Sequence, residues 1–336
     1  MYHLNENIEM NVNWEEKIKI DTKWVGRQLI DHFEQKQTKL TVRGFTPKVA
    51  GTNFSCDALI DELGYFLKDY VHSERSKKNK LKTLKSQYGE KSAQERIETA
   101  LYQEAQSFFG KKDPSTDGKY GELLLFALTE SILKSKMIAH KIEGLSNAKD
   151  QVKGGDGIFL GRYEVEKGKF EPAIFIGESK IMQGFSDSID DALESLDRFH
   201  KPETKTEFNS MEFIVANKTL FVDDDDQDYD QIYNLLTPNT DAFKSQIIVH
   251  PVLVMYNTKV IESLEKKAKN RNHLEKLLQE YMQSQEKIIS EKIISKLKTF
   301  PQIQKVYIDF FCFPFNNINY FRNGMYFNIH KIPYSK

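Results

Sequence analysis

Four apolar residues in a row, Ala173, Ile174, Phe175 and Ile176, stand between Pro172 and Gly177, and an acid and a base follow at once in the stretch EPAIFIGESKIM. A run this short, rich in β-branched and aromatic residues and closed by Pro and Gly, predicts a buried strand. Strand side chains alternate between faces, so Glu178 and Lys180 share one face at the end of that strand. Two explanations stand side by side. The pair is a cross-sheet ion pair, or it carries a ligand and a cation to one reacting group.

The neighbouring segments supply the rest of an α/β layout. GIFLGRYEV reads as a second strand, joined to the first as a hairpin of a mixed sheet. QIIVHPVLVMYN is a third, with Pro251 arguing for an edge or a bulge and His250 read as a strand-end residue. KVYIDFFCFPF is the last strand, and the aromatics after it, among them Tyr320, Phe321, Tyr326 and Phe327, read as core with a part suited to a partner interface. CDALIDELGYFLKDYV spaces its apolar residues as a core-facing helix with Ser55 or Asp57 as its cap. A second helix ends at Gly110. ELLLFALTESILKSKMIAHKI, apolar nearly all round at first, reads as a buried helix. SDSIDDALESLDRFH is amphipathic, with Ile189, Ala192, Leu193, Leu196 and Phe199 on one side. One long helix is expected over about 258–299, stopped by Pro301. MEFIVANKTLFV is helix or strand, and residues 1–55 read as an irregular α+β start. The expected division is an N-terminal α+β region over 1–95 and a main domain over 96–336 with a C-terminal helical extension.

Bulk properties narrow the function classes. A net charge of −1 over 336 residues gives no global pull toward nucleic acid or acidic membranes, so any such contact needs a local patch. The basic run Arg75, Lys77, Lys78, Lys80, Lys82 and Lys85 is either such a patch or a solvated surface, and Lys266 to Arg271 reads as a solvated helix face. Two cysteines, Cys56 and Cys312, build no disulfide framework or zinc site. With no apolar run of membrane-spanning length and no leader-like N-terminus, a cytoplasmic protein without membrane contact is expected. VDDDDQDYD lacks the Gly and terminal Glu of a calcium loop and reads as a self-repelling loop.

The chemistry concentrates in the middle of the chain. Glu122 begins the buried helix, Asp156 heads one strand within Gly-Asp-Gly, and Glu178 with Lys180 ends the next. Carboxylates from adjacent strands form a hard oxygen site of the partial kind that Mg²⁺ favours, because it keeps waters and shares itself with a substrate phosphate. A lysine beside it can orient a water or stabilise charge developing on phosphorus. Taken singly, Gly-Asp-Gly is equally a turn.

In this order, Glu122, Asp156, Glu178 and Lys180 resemble the motif of the PD-(D/E)xK nuclease superfamily, with Gly155 where the motif name has proline. More narrowly, GELLLFALTESILKSKMIAHKI, VKGGDGIFLG, IFIGESK and SIDDALESLDRF are similar to the HamA family of Hachiman anti-phage defence nucleases and their AbpA relatives, closely over roughly residues 95–200 and loosely over the C-terminal third, with no match over residues 1–55. The resemblance implies a restriction-endonuclease-like mixed β-sheet flanked by helices. It implies a metal-dependent deoxyribonuclease acting on DNA with a partner helicase, HamB in the Hachiman pair. Asp156, Glu178 and Glu122 would be the metal ligands, for Mg²⁺ or Mn²⁺, and Lys180 would serve the attacking water and the scissile phosphate. Two rivals remain open: a restriction or repair nuclease working alone, and a non-catalytic adaptor that keeps the fold to bind DNA or a partner.

Overall fold

The computed structural model describes residues 12–140, 155–200, 227–238 and 240–334. In chain order its elements are α1 (Trp14–Lys17), α2 (Trp24–Gln28), β1 (Leu29–Lys36), β2 (Leu40–Pro47), α3 (Asp57–Val71), α4 (Glu74–Tyr88), α5 (Glu90–Phe109), α6 (Lys119–Ile132) and β3 (Lys136–Ala139). Then follow β4 (Ile158–Glu166), β5 (Lys169–Ile176), β6 (Glu178–Met182), α7 (Phe185–His200), α8 (Tyr229–Leu236), α9 (Asp241–Lys244) and β7 (Ile247–Asn257). The chain closes with α10 (Val260–Lys267), α11 (Arg271–Leu297), β8 (Tyr307–Phe315) and α12 (Ile318–His330).

Eight strands form one mixed sheet in the order β1-β2-β8-β7-β5-β4-β3, with β6 pairing to β7 beyond the end of β5. The centre is parallel, β2 with β8, β8 with β7, and β7 with both β5 and β6. The hairpins β1/β2 and β4/β5 are antiparallel, as is β3/β4. Alternation sorts the central residues between two cores. Leu253, Met255, Phe311 and Phe313 pack with α3, α6 and α12 on one face, while Val252, Val254, Phe310 and Cys312 meet α7 and α11 on the other. Each such buried side chain contributes about 1.5–3 kcal/mol, which explains why the central strands read as unbroken apolar runs. Both cysteines are free and buried. No described helix is long and apolar enough to cross a membrane.

Several expectations need correction. Glu178 and Lys180 do not extend the strand Ala173–Ile176. The chain breaks at Gly177, and they begin a separate strand, β6, whose partner is β7. Pro251 lies mid-sheet rather than at an edge: β5 pairs with β7 up to Val249 and β6 resumes at Val252, so the proline falls where the neighbouring strand is already interrupted. His250 is likewise a buried mid-strand residue and not a strand end. The buried helix stops at Ile132, because Lys134 takes a left-handed turn (φ 52°) and Lys136–Ala139 joins the sheet. The long C-terminal helix is two helices, broken where Asn270 caps the second by accepting from the His273 amide at 2.9 Å. Neither Ser55 nor Asp57 caps α3; Cys56 holds that position without a side-chain cap. The aromatic tail is the helix α12, with Phe321 and Tyr326 buried and Tyr320 and Phe327 exposed. MEFIVANKTLFV and the start of VDDDDQDYD lie outside the described residues.

Candidate functional site

The break at Gly177 is where the candidate residues gather. Gly155, Asp156 and Gly157 approach it from the start of β4. The Asp156 amide donates to the Gly177 carbonyl at 2.7 Å, and the Gly177 amide donates to the Gly157 carbonyl at 3.0 Å. Both flanking glycines are required by this approach. A Cβ on Gly155 would sit 2.5 Å from the Ile176 side chain, and Gly157 has φ 132°, a region that L side chains rarely enter.

Asp156 is thereby laid against β6. Its Oδ2 accepts from both the amide and the hydroxyl of Ser179, each at 2.7 Å. Glu178 is buried, and its Oε1 lies 2.9 Å from Lys180 Nζ. Burial, and then the neighbouring Asp156 carboxylate, push Glu178 up to about 7, against the opposing pull of Lys180 and of Ser195 on α7. Burial works against the Lys180 charge, but Glu178, Asp156 and Asp191 outweigh it and hold the ammonium above its ordinary range. The ion pair expected as the alternative to a reactive site is therefore present. It is also strained toward excess negative charge by Asp156.

Glu122, in the first turn of α6, is held by a residue that sequence reasoning missed. The Tyr70 hydroxyl donates to Glu122 Oε2 at 3.1 Å. Burial, and then the carboxylates of Glu122, Asp156 and Asp117, raise the Tyr70 phenol well above its usual range, so it stays a proton donor. Asp117 was also missed. Its Oδ1 accepts from the Lys119 amide at 3.1 Å, while its buried Oδ2 has no hydrogen-bond partner. Tyr70 occupies a core-spaced position on α3, and Asp117 sits in a turn rich in Gly and Asp, so neither carries a signal separable from packing or turn formation. Ser179 could have been found: a residue between Glu178 and Lys180 must face the other side of β6, toward α6, where Asp156 needs a donor.

The histidines near the break form a separate pair. His250 Nδ1 lies 2.9 Å from the Ile176 carbonyl, and its Nε2 lies 2.8 Å from His200 Nε2. A carbonyl only accepts, so Nδ1 carries the His250 proton and His200 donates to Nε2. Burial, and then His200, push His250 down to about 3, keeping it neutral.

Among the described residues, no three acidic, histidine or cysteine side chains converge into a metal-holding set. The donor chemistry nonetheless fits a hard divalent cation. Asp117 Oδ2 is an unpartnered buried carboxylate oxygen, and the Asp156 carboxylate works against ionised Glu178; a divalent cation beside either carboxylate would relieve it. The basic run, in contrast, is largely spent on structure. Lys77 pairs with Asp69 and Glu74, Lys80 with Glu104, and Lys85 with Glu90, most of them tying α4 to its neighbours α3 and α5. Lys266 and Arg271 make exposed pairs within their own helices.

Fold and site together define a mixed α/β protein with a buried acid and lysine pair at an interruption of its central sheet. The chain belongs to the HamA family, whose model matches residues 20–329. Membership makes it a Hachiman defence-related protein. No curated protein matches the chain.

Proposed function

We propose that this chain is a metal-dependent deoxyribonuclease with a centre of the PD-(D/E)xK type, the DNA-cleaving effector of a Hachiman complex with a partner helicase. The observation that carries the reading is the buried Glu178 and Lys180 pair with Asp156 laid beside it at the sheet break. In this reading Asp156 and Glu178 hold Mg²⁺ or Mn²⁺, with Glu122 completing the acidic group. When bound, the cation supplies Lewis acidity and a template for in-line displacement at phosphorus. Lys180 keeps its proton, as the raised pKa favours. It therefore serves as a fixed positive charge and hydrogen-bond donor to a phosphate oxygen or the attacking water, not as a base. Ser179 fixes the Asp156 carboxylate, and Tyr70 fixes Glu122.

The adaptor reading retains one observation in its favour, the bonding of Asp156 to Ser179 in place of a converged ligand set. One experiment separates the two. Linear and circular DNA are incubated with wild type, Glu178→Ala and Lys180→Ala, each with the partner helicase, in Mg²⁺ or EDTA. The nuclease reading expects Mg²⁺-dependent cleavage lost in both variants. Absence of cleavage by wild type in every arm, with DNA or partner binding intact, establishes the adaptor.

A further inference from the structure

Glu122 lies in the first turn of α6, and the other end of this helix, about 15 Å away at 1.5 Å per residue, borders a cavity of about 690 Å³. That volume suits a small-molecule ligand. One wall is a set of charges that neutralise each other. Arg43 holds the fully buried Asp309 with two contacts, Nε to Oδ1 at 2.8 Å and Nη2 to Oδ2 at 3.2 Å, and Tyr163 donates to the same carboxylate at 3.3 Å. Arg43 also pairs with Glu34, and Lys36 joins Glu34 to Glu164. These side chains are already in place, so a ligand meets a wall with little ordering left to do.

The lining also carries charge that this network does not consume. Lys134 and Arg162 line the cavity, and neither forms an ion pair among the described residues. Arg162 instead donates to the Phe170 carbonyl at 3.2 Å. The Phe170 ring, in the same lining, is 47% exposed. Lys134 enters the lining from the left-handed turn that ends α6, a conformation uncommon for a residue other than Gly, Asn or Asp. Against these two cations stands one lining carboxylate outside the network, the exposed Glu15.

We propose that this cavity binds a nucleotide unit, with its phosphate on Arg162 and Lys134 and its base against Phe170. Two cations beside an exposed aromatic ring select an aromatic phosphate over an apolar ligand or a metal ion. A guanidinium is well suited to a phosphate, and an aromatic face accepts any base. A free mononucleotide and the 5′-phosphorylated end of a DNA strand share this chemistry. The site is distinct from the sheet break and uses no metal, so it stands or falls independently of the nuclease reading.

The test is calorimetric titration of the full chain with dAMP in EDTA, alongside deoxyadenosine and inorganic phosphate. Arg162→Ala and Phe170→Ala are the variants, since both side chains are exposed and the fold does not depend on them. dAMP is expected to bind, each half-ligand to bind at least about tenfold more weakly, and each variant to lose about tenfold. Glu178→Gln is expected to bind as wild type does. A 5′-phosphorylated oligonucleotide that displaces dAMP, where its unphosphorylated twin does not, identifies the DNA end as the source. Failure of both to displace identifies the free nucleotide. No dAMP binding at millimolar concentration, or binding unchanged in both variants, overturns the proposal.

Discussion

Glu178 is a carboxylate that the fold makes costly to ionise. Its pKa is raised from 4.5 to about 7, so folded protein binds the proton more tightly than unfolded chain does. That contribution to stability is complete below pH 4.5 and is lost as pH rises through about 7. Urea unfolding of wild type is therefore expected to show stability falling between pH 5 and 8, whereas Glu178→Gln, which cannot ionise, shows a flatter profile. Mg²⁺ added at pH 8 is expected to raise the stability of wild type and to leave the variant unchanged. At Ser179 and Tyr70 the expected effects are hydrogen-bond losses to carboxylates. Ser179→Ala and Tyr70→Phe each remove one donor while keeping the packing, at about 1.5–3 kcal/mol in the same unfolding measurement. The residues named from sequence as acid, acid and lysine do meet at one place. Of the residues that hold them, Ser179 follows from strand alternation, whereas Tyr70 was not legible, because a core-spaced aromatic has many common reasons to occupy its position.

The element that makes the site is an interruption. β5 ends at Ile176, β6 begins at Glu178, and both lie on β7, whose own irregular residue Pro251 faces the gap. An apolar run followed by Glu-x-Lys reads as one strand, since alternation is preserved in either arrangement; only the partner strand reveals that Gly177 splits it. The same limit applies to α6 and β3. Ser135 to Ala139 carries apolar residues that suit a helix or a strand, and the left-handed Lys134 decides between them. Where a pattern had a single physical solution, as for the hairpin β4/β5, the amphipathic α7 and the strand β8, the sequence reading and the structure agree. Gly157→Ala is expected to destabilise the chain by about 1–3 kcal/mol, because it forces a side chain into a strained backbone region at this break. Thermal unfolding against wild type checks this, with Gly168→Ala in the β4/β5 turn as a positive-φ comparison away from the site.

At the scale of the whole molecule, the sheet places two chemically different places at opposite ends of α6: an acidic break and a cavity whose unpaired lining charge is mostly basic. The charge count of the chain foretold neither, because a net charge near zero is compatible with any local arrangement. The basic run, read in sequence as a solvated surface or a phosphate-contacting patch, is mostly neutralised by acids of α3, α4 and α5. Lys80→Gln is accordingly expected to lower stability by up to about 1 kcal/mol while leaving DNA affinity unchanged, as measured by fluorescence anisotropy at fixed salt. The proposed function rests on the acidic break seating a divalent cation. Mn²⁺ titration of the full chain, followed by electron paramagnetic resonance, addresses it directly. One bound Mn²⁺ in wild type, lost in Asp156→Asn and in Glu178→Gln and displaced by Mg²⁺, is the expected result. Mn²⁺ binding that is absent from wild type, or that survives in both variants, would contradict it.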